Sequence, residues 1–443
     1  MKTIKTYILL FAIGFSLFSC SDYTDGINDS PNNFTSAPGN LIIGQAGLEV
    51  VHLSSSNSSR FAGIFTDQFT GSDRQYITVN NYDVVAGDFD DSWGDLFIAG
   101  VAQARIAKES GIEVGDVLLT GVAQIFEAVL MGEAAALWGN VPYSEAFDIV
   151  TYPDPKYDSQ ESVLAAVQTI LDQAISNVGD DAGVASVYGY PVFFANNAKW
   201  GQIAHSLKAR YYLIAKDYAK ALSEAQKGIS SADGSLLSAH KDASGAKNLY
   251  YQFTVEQRGG YLTANGSNLL NLLNGTRARL LDTPGDANRY KHYFYDDPTS
   301  GNNELNYTVD GYFAINAPFP IVSYIETKLI EAEAAQRTGG DALTPFNEVR
   351  DHLADIYGGG FPHSSASGDA LLAQITEEKY CSLPGSMQIF HDTRRNNNLL
   401  GVPIKGTGHT SIPQRFYYPQ VELNTNDNFP GLVDLYEATP VNK

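Results

Sequence analysis

The sequence predicts an all-α-dominated protein: a tetratricopeptide-like scaffold of helical pairs carrying one long, irregular, loop-rich insertion. Three observations lead there. Apolar residues recur at i, i+3, i+4 and i+7 in segment after segment. Small residues mark the places where paired helices would approach, as in Trp200, Leu207, Ala209, Tyr211, Tyr212 and Ala215 followed by Tyr218, Ala221, Ala225 and Gly228, which are similar to a tetratricopeptide pair. Between two helical blocks, residues 235–320 are rich in Gly, Asn, Pro and Tyr without regular period, and are too long for a mere connector.

Lys2 and Lys5 precede an apolar stretch from Tyr7 to Phe18 that is too short to span a bilayer as a mature helix. This reads as an export signal over residues 1–19. Its end, Leu17-Phe18-Ser19-Cys20, resembles a bacterial lipobox, which implies that Cys20 is acylated and anchors the protein to a membrane. Residues 20–40 then form the acylated Cys and a tether rich in Asn, Asp, Ser and Pro, and residues 41–443 one helical domain. Within it the spacing predicts helices over 41–64, 93–110, 116–138, 159–178, 196–215 and 218–230, with a long loop over 66–91. Asp158 and Glu161 supply a start for the helix at 159. A second block covers 322–338, 343–355 and 369–382.

Composition excludes several functions. A formal charge of −21 with no basic run opposes phosphate binding, so nucleic acid is not an expected partner. Two cysteines build neither a disulfide framework nor a four-thiolate zinc site. The nucleophile elbow, the Walker loop, the dinucleotide glycine fingerprint and the His-Glu-x-x-His zinc motif are all absent. The eight histidines lie far apart and show no ligand spacing. Asp88, Asp90 and Asp91 lack the twelve-residue calcium loop and fit solvated charge, so no metal or cofactor is expected. A glycosidase carboxylate pair is defined only by separation in space and stays open. The 26 Tyr, 22 Phe and 3 Trp exceed what a core of this size requires, which predicts aromatic rings at the surface.

Several segments in order resemble one family, the SusD/RagB-like outer-membrane nutrient-binding lipoproteins, in the branch called SusD-like 2. They are Cys20; Trp138-Gly139-Asn140-Val141-Pro142-Tyr143-Ser144-Glu145-Ala146; Tyr157-Asp158-Ser159-Gln160-Glu161; and Trp200 through Ser206-Leu207-Lys208-Ala209-Arg210. Tyr324-Ile325 through Glu331-Ala332-Glu333-Ala334, Arg394-Arg395, and Ile412-Pro413-Gln414-Arg415-Phe416-Tyr417-Tyr418-Pro419 with Glu422-Leu423-Asn424 complete the series. The family often has Glu and an aromatic before its Asp-x-Arg-Arg, where this chain has Ser386 to Phe390. These pieces read as scaffold: Pro142 turns the chain, Glu331 and Glu333 belong to the framework, and Arg394 and Arg395 cap or pair within the fold.

The resemblance implies a cell-surface, lipid-anchored outer-membrane protein. It would capture oligosaccharides without catalysis and pass them to a TonB-dependent barrel transporter of the SusC-like kind. The alternatives are an exported glycoside hydrolase and a lipoprotein binding peptide or another nutrient. Family members often place ligand contacts in the loop before the helix near Trp93 and in the long insertion. The expected contacts are therefore Asp73, Arg74, Tyr76, Asn81, Tyr82 and Trp93, with Tyr261, Asn265, Tyr290, Tyr293 and Tyr295. Trp93 fits a core position equally well. If the run Tyr290 to Tyr295 is extended, residues 291, 293 and 295 share one face, with a packed hairpin as the other reading.

Overall fold

The computed structural model describes residues 37–184, 194–195 and 197–443; the signal, Cys20 and most of the tether lie outside it. The amphipathic runs become helices, with local chemistry setting their ends. The run over 41–64 splits into α1 (Gly39–Ser55) and α2 (Asn57–Phe65) at Ser56. The Ser54 and Ser55 hydroxyls donate back to the Val50 and Val51 carbonyls, competing with the helical ladder just before the break. The loop expected over 66–91 contains a two-residue strand, β1 (Thr70–Gly71), and a short helix, α3 (Gln75–Asn80).

The next helix starts earlier than the sequence suggests. α4 (Asp90–Gly94) runs through a π-helical segment, Asp95–Val101, into α5 (Ala102–Val114), which Gly115 ends in the left-handed conformation. α6 (Val117–Trp138) follows, capped by Asp116, which accepts from the Leu119 N–H at 2.9 Å. This helix is long and apolar enough to cross a membrane, yet 89% of its apolar window is buried, as befits the central core helix. A small ladder of β2 (Val141–Pro142) and β3 (Tyr157–Asp158) turns the chain into α7 (Gln160–Val178). The cap of α7 is Ser159 rather than Asp158. Ser159 Oγ accepts from the Ser162 N–H, while the Asp158 carboxylate accepts from the N–H groups of Tyr143 and Ser144.

After β4 (Phe194–Ala195) come α8 (Trp200–Ile214) and α9 (Tyr218–Ala225), the expected pair, with Asp217 capping α9. Gly132 on α6 lets α8 approach: a Cβ there would lie 2.3 Å from the Tyr211 ring. The insertion over 235–320 holds short pieces: β5 (Leu236–Ser238), α10 (Leu249–Tyr251), β6 (Leu262–Thr263), α11 (Asn268–Leu273), α12 (Asp286–Tyr293), β7 (Phe294–Asp296) and β8 (Asn303–Leu305). β9 (Pro320–Val322) pairs with β5 and leads into α13 (Tyr324–Thr338), α14 (Leu343–Tyr357), α15 (Gly368–Ser382) and α16 (Met387–Arg395). The α8–α9 pair closes on α13 through Ala209, Leu213, Ala221, Ala225, Ile330 and Ala334.

Buried ion pairs join the blocks. Arg395 grips Glu333 through two contacts at 2.6 and 2.8 Å, and Arg210 holds both oxygens of Glu326 at 2.7 Å. Arg394 donates to the Gln414 and Ala136 carbonyls. The scaffold roles expected for Glu333, Arg394 and Arg395 are thus observed.

Candidate ligand-binding site

The structure joins the two regions from which ligand contacts were expected. β1 pairs antiparallel with β6, with Thr70 opposite Thr263, and the Asn303 N–H donates to Asn265 Oδ1 at 2.6 Å, tying β8 to the same edge. The β7–β8 hairpin carries a polar network along this edge. Tyr290 donates its hydroxyl to Asp296 at 2.7 Å, and the Asn265 amide donates to Asn302 at 2.9 Å. Arg74 crosses from the first region and donates to the Tyr261 hydroxyl at 3.0 Å, and Asp73 accepts from the Arg74 N–H. Arg74, Asp73, Asn265, Tyr290 and Tyr295 keep solvent access.

The rings behave differently from expectation. Tyr76, Tyr82, Trp93, Tyr261 and Tyr293 are all buried, at 3, 3, 5, 6 and 1% exposure, so the expected solvent-facing shelf is corrected at those five positions. Each has aromatic partners from distant parts of the chain. Tyr76 lies 4.9 Å from Phe253, which also carries the Arg60 guanidinium at 4.1 Å and meets the Tyr261 ring edge-on. Tyr82 packs edge-on to Phe65, accepts a hydrogen bond from the Lys405 N–H, and sits beside Asn81, whose carbonyl accepts from His409. Trp93 packs on Phe97 at 4.3 Å and edge-on to Trp138 at 5.2 Å, in a ring cluster away from the β1–β6 edge. The aromatic surplus is spent on this interior network; among the described residues only Phe147 and Tyr152 of the Phe, Tyr and Trp side chains are exposed, at 38 and 41%.

The run Tyr290 to Tyr295 is also not a single extended segment. It is the last turn of α12 followed by β7, so residues 291, 293 and 295 do not share a face. Tyr293 points inward, where its hydroxyl meets that of Tyr357 at 3.2 Å, and Tyr295 hydrogen-bonds Tyr307 across the hairpin.

His292, the neighbour of Tyr293, opens onto a cavity of about 440 Å³ between the insertion and the second helical block. Its aromatic lining is His292, Tyr312, Tyr324, His352 and Tyr357, with Ser235, Ser323 and Ser382 among its polar groups. The His292 and Tyr312 rings stand edge to face at 5.7 Å, as do Tyr324 and His352 at 5.4 Å. His292 Nδ1 bonds the Asp310 carbonyl at 2.9 Å. Burial pushes the His292 and His352 imidazoles below their ordinary value, which keeps both neutral at pH 7. No Asp, Glu, Lys or Arg lines this cavity. A second hollow of similar volume, among α5, α6 and α7, is lined by aliphatic and amide groups without a ring.

A family model described as starch-binding, associating with the outer membrane, matches residues 31–349. The chain belongs to the SusD-like 2 family. Solved structures agree on the fold. A SusD homolog from Bacteroides fragilis superposes with a TM-score of 0.69 at 16% identity, covering 92% of this chain and all of that one. A SusD/RagB family protein from Bacteroides thetaiotaomicron gives 0.66 at 20% identity, covering 89% and 95%. A chitin-binding protein gives 0.66 at 20% identity, covering 91% and 100%. No curated protein matches the chain.

In this SusD-like 2 protein, sequence reasoning missed Tyr312, Tyr324, His352 and Tyr357. Their signal was available in part. Tyr324 opens α13 directly after its Ser323 cap, and Tyr357 closes α14 before Gly358-Gly359-Gly360, so both rings stand at helix ends facing the insertion.

Proposed function

We propose that the protein is a non-enzymatic capture protein of the outer-membrane surface, anchored through Cys20, which binds a neutral oligosaccharide and passes it to a TonB-dependent barrel transporter. The observation that carries the reading is the cavity beside His292: five aromatic rings with hydroxyl and imidazole groups around them, and no charged side chain. Flat rings suit the C–H faces of a sugar, and neutral hydrogen-bonding groups suit its hydroxyls. A peptide with charged termini or side chains would find no counter-charge there. The lining also carries no carboxylate, so this cavity does not offer the acid pair that glycoside hydrolysis requires. The partly exposed polar edge of Arg74, Asn265, Tyr290 and Tyr295 would extend the contact along a longer chain. The barrel partner and the lipid anchor rest on family membership and on the lipobox-like sequence.

Isothermal titration of the full chain in detergent against neutral starch- and chitin-derived oligosaccharides, with charged peptides as the comparison, tests this. Micromolar to millimolar binding of at least one glycan, with no cleavage product, is expected. Heat from peptides alone, or turnover of the bound glycan, would overturn it.

A further inference from the structure

Among the described residues, one group of His and carboxylate ligand atoms lies close enough to hold a metal ion: Glu49, His52 and Asp95. Glu49 and His52 face the same way from α1, three residues apart, and Asp95 opens the π-helical segment packed against that helix. His52 Nδ1 stands 3.4 Å from Glu49 Oε2 and 3.3 Å from Asp95 Oδ2. We propose that Glu49 Oε2, His52 Nδ1 and Asp95 Oδ2 form a three-ligand site for a zinc-class divalent ion, with water completing the coordination.

Four observations support the site. Zinc–nitrogen and zinc–oxygen bonds of about 2.0–2.2 Å in a tetrahedron put neighbouring ligand atoms roughly 3.3–3.6 Å apart; both carboxylate oxygens stand at that distance from His52 Nδ1, and all three atoms lie within 4.8 Å of one another. Neither contact of His52 Nδ1 closes a hydrogen bond, so the three ligand atoms converge without a hydrogen bond holding them together. The Glu49 side chain is nine-tenths buried, and its other oxygen is held by the Gln45 amide at 2.9 Å, which leaves Oε2 without a hydrogen bond among the described residues and aimed at His52. His52 and Asp95 remain partly exposed, which gives an ion a path in. The donor set selects the ion: calcium takes six to eight oxygens, whereas one imidazole with two carboxylates suits a first-row divalent metal and balances its charge. Spacing along the sequence hides the site, because Asp95 comes from a different helix.

The test uses the full chain in detergent, stripped with a chelator and titrated with zinc chloride, with bound metal counted by mass spectrometry after dialysis. One equivalent is expected, with a rise in melting temperature and, on cobalt substitution, the intense visible absorption of a tetrahedral ion. His52→Gln and Asp95→Asn each alter a partly exposed side chain. Both should melt like the stripped parent, weaken zinc binding about tenfold or more and lose the zinc-dependent rise in melting temperature. No zinc retained by the parent, or retention undiminished in either variant, overturns the proposal.

Discussion

Glu378→Gln isolates the charge network that holds the cavity wall. Glu378 on α15 is surrounded by three buried arginines. Its Oε1 lies 2.8 Å from Arg289 Nη1, and its Oε2 accepts from Arg279 at 3.1 Å and from Arg350. Asp286 and Glu377 pair with Arg279, so three guanidinium groups face three carboxylates. The substitution keeps the shape and the bond from Ser382, but leaves one buried positive charge uncompensated. Breaking such a pair from one side costs about 3–5 kcal/mol, a large part of the stability of an ordinary domain. The sign with pH follows. Burial pushes the Glu378 carboxyl up, but Arg289, Arg279 and Arg350 together hold it far below its ordinary value. Its contribution is therefore present above the unfolded value of about 4.3 and fades as pH falls. Urea unfolding at pH 7 and in acid measures both, and the gap between parent and variant should narrow in acid. Because Arg289 shares α12 with His292, and Glu378 shares α15 with Ser382, the variant should also bind glycan more weakly. A loss below about 1 kcal/mol at pH 7, with an unchanged denaturant slope, refutes the reasoning.

Tyr324→Ala removes one ring face from the cavity and should weaken glycan binding by about 0.5–1.5 kcal/mol, whereas Tyr324→Phe should lose less; titration calorimetry separates them. Gly285→Ala places a Cβ 2.1 Å from the Phe361 ring, and such overpacking should cost about 1–3 kcal/mol in denaturant unfolding. Burial raises the Glu224 carboxyl, but the bond to His205 and the charge of Lys208 outweigh it and bring it down to about 2. That stabilisation is present above the unfolded value of about 4.3 and is lost as pH falls toward 2. His205→Gln should flatten this part of the acid unfolding curve followed by tryptophan fluorescence.

The helices were legible because their signal is local: one face of each repeats every three to four residues, and caps such as Asp116 and Asp217 sit beside the run they start. The split at Ser56 shows the limit, since periodicity continues across it while serine hydroxyls compete for the backbone. The aromatic site was less legible for a physical reason. Composition counts rings but does not say which pair with which, and the partners of Tyr76 and Trp93 come from Phe253 and Trp138, far along the chain. The loop regions named from sequence did meet at the β1–β6 edge. The cavity, by contrast, draws on helix ends from the second block that read as scaffold.

Charge joins the surface to the cavity. A chain carrying −21 surrounds itself with a potential that disfavours polyanions, and such steering acts over about a Debye length before contact. The cavity lining itself adds no charge, because both imidazoles are kept neutral by burial and the other lining groups are uncharged. Long-range selection therefore turns away anionic ligands, while short-range selection falls to ring faces and hydroxyl partners. Neutral sugars satisfy both filters.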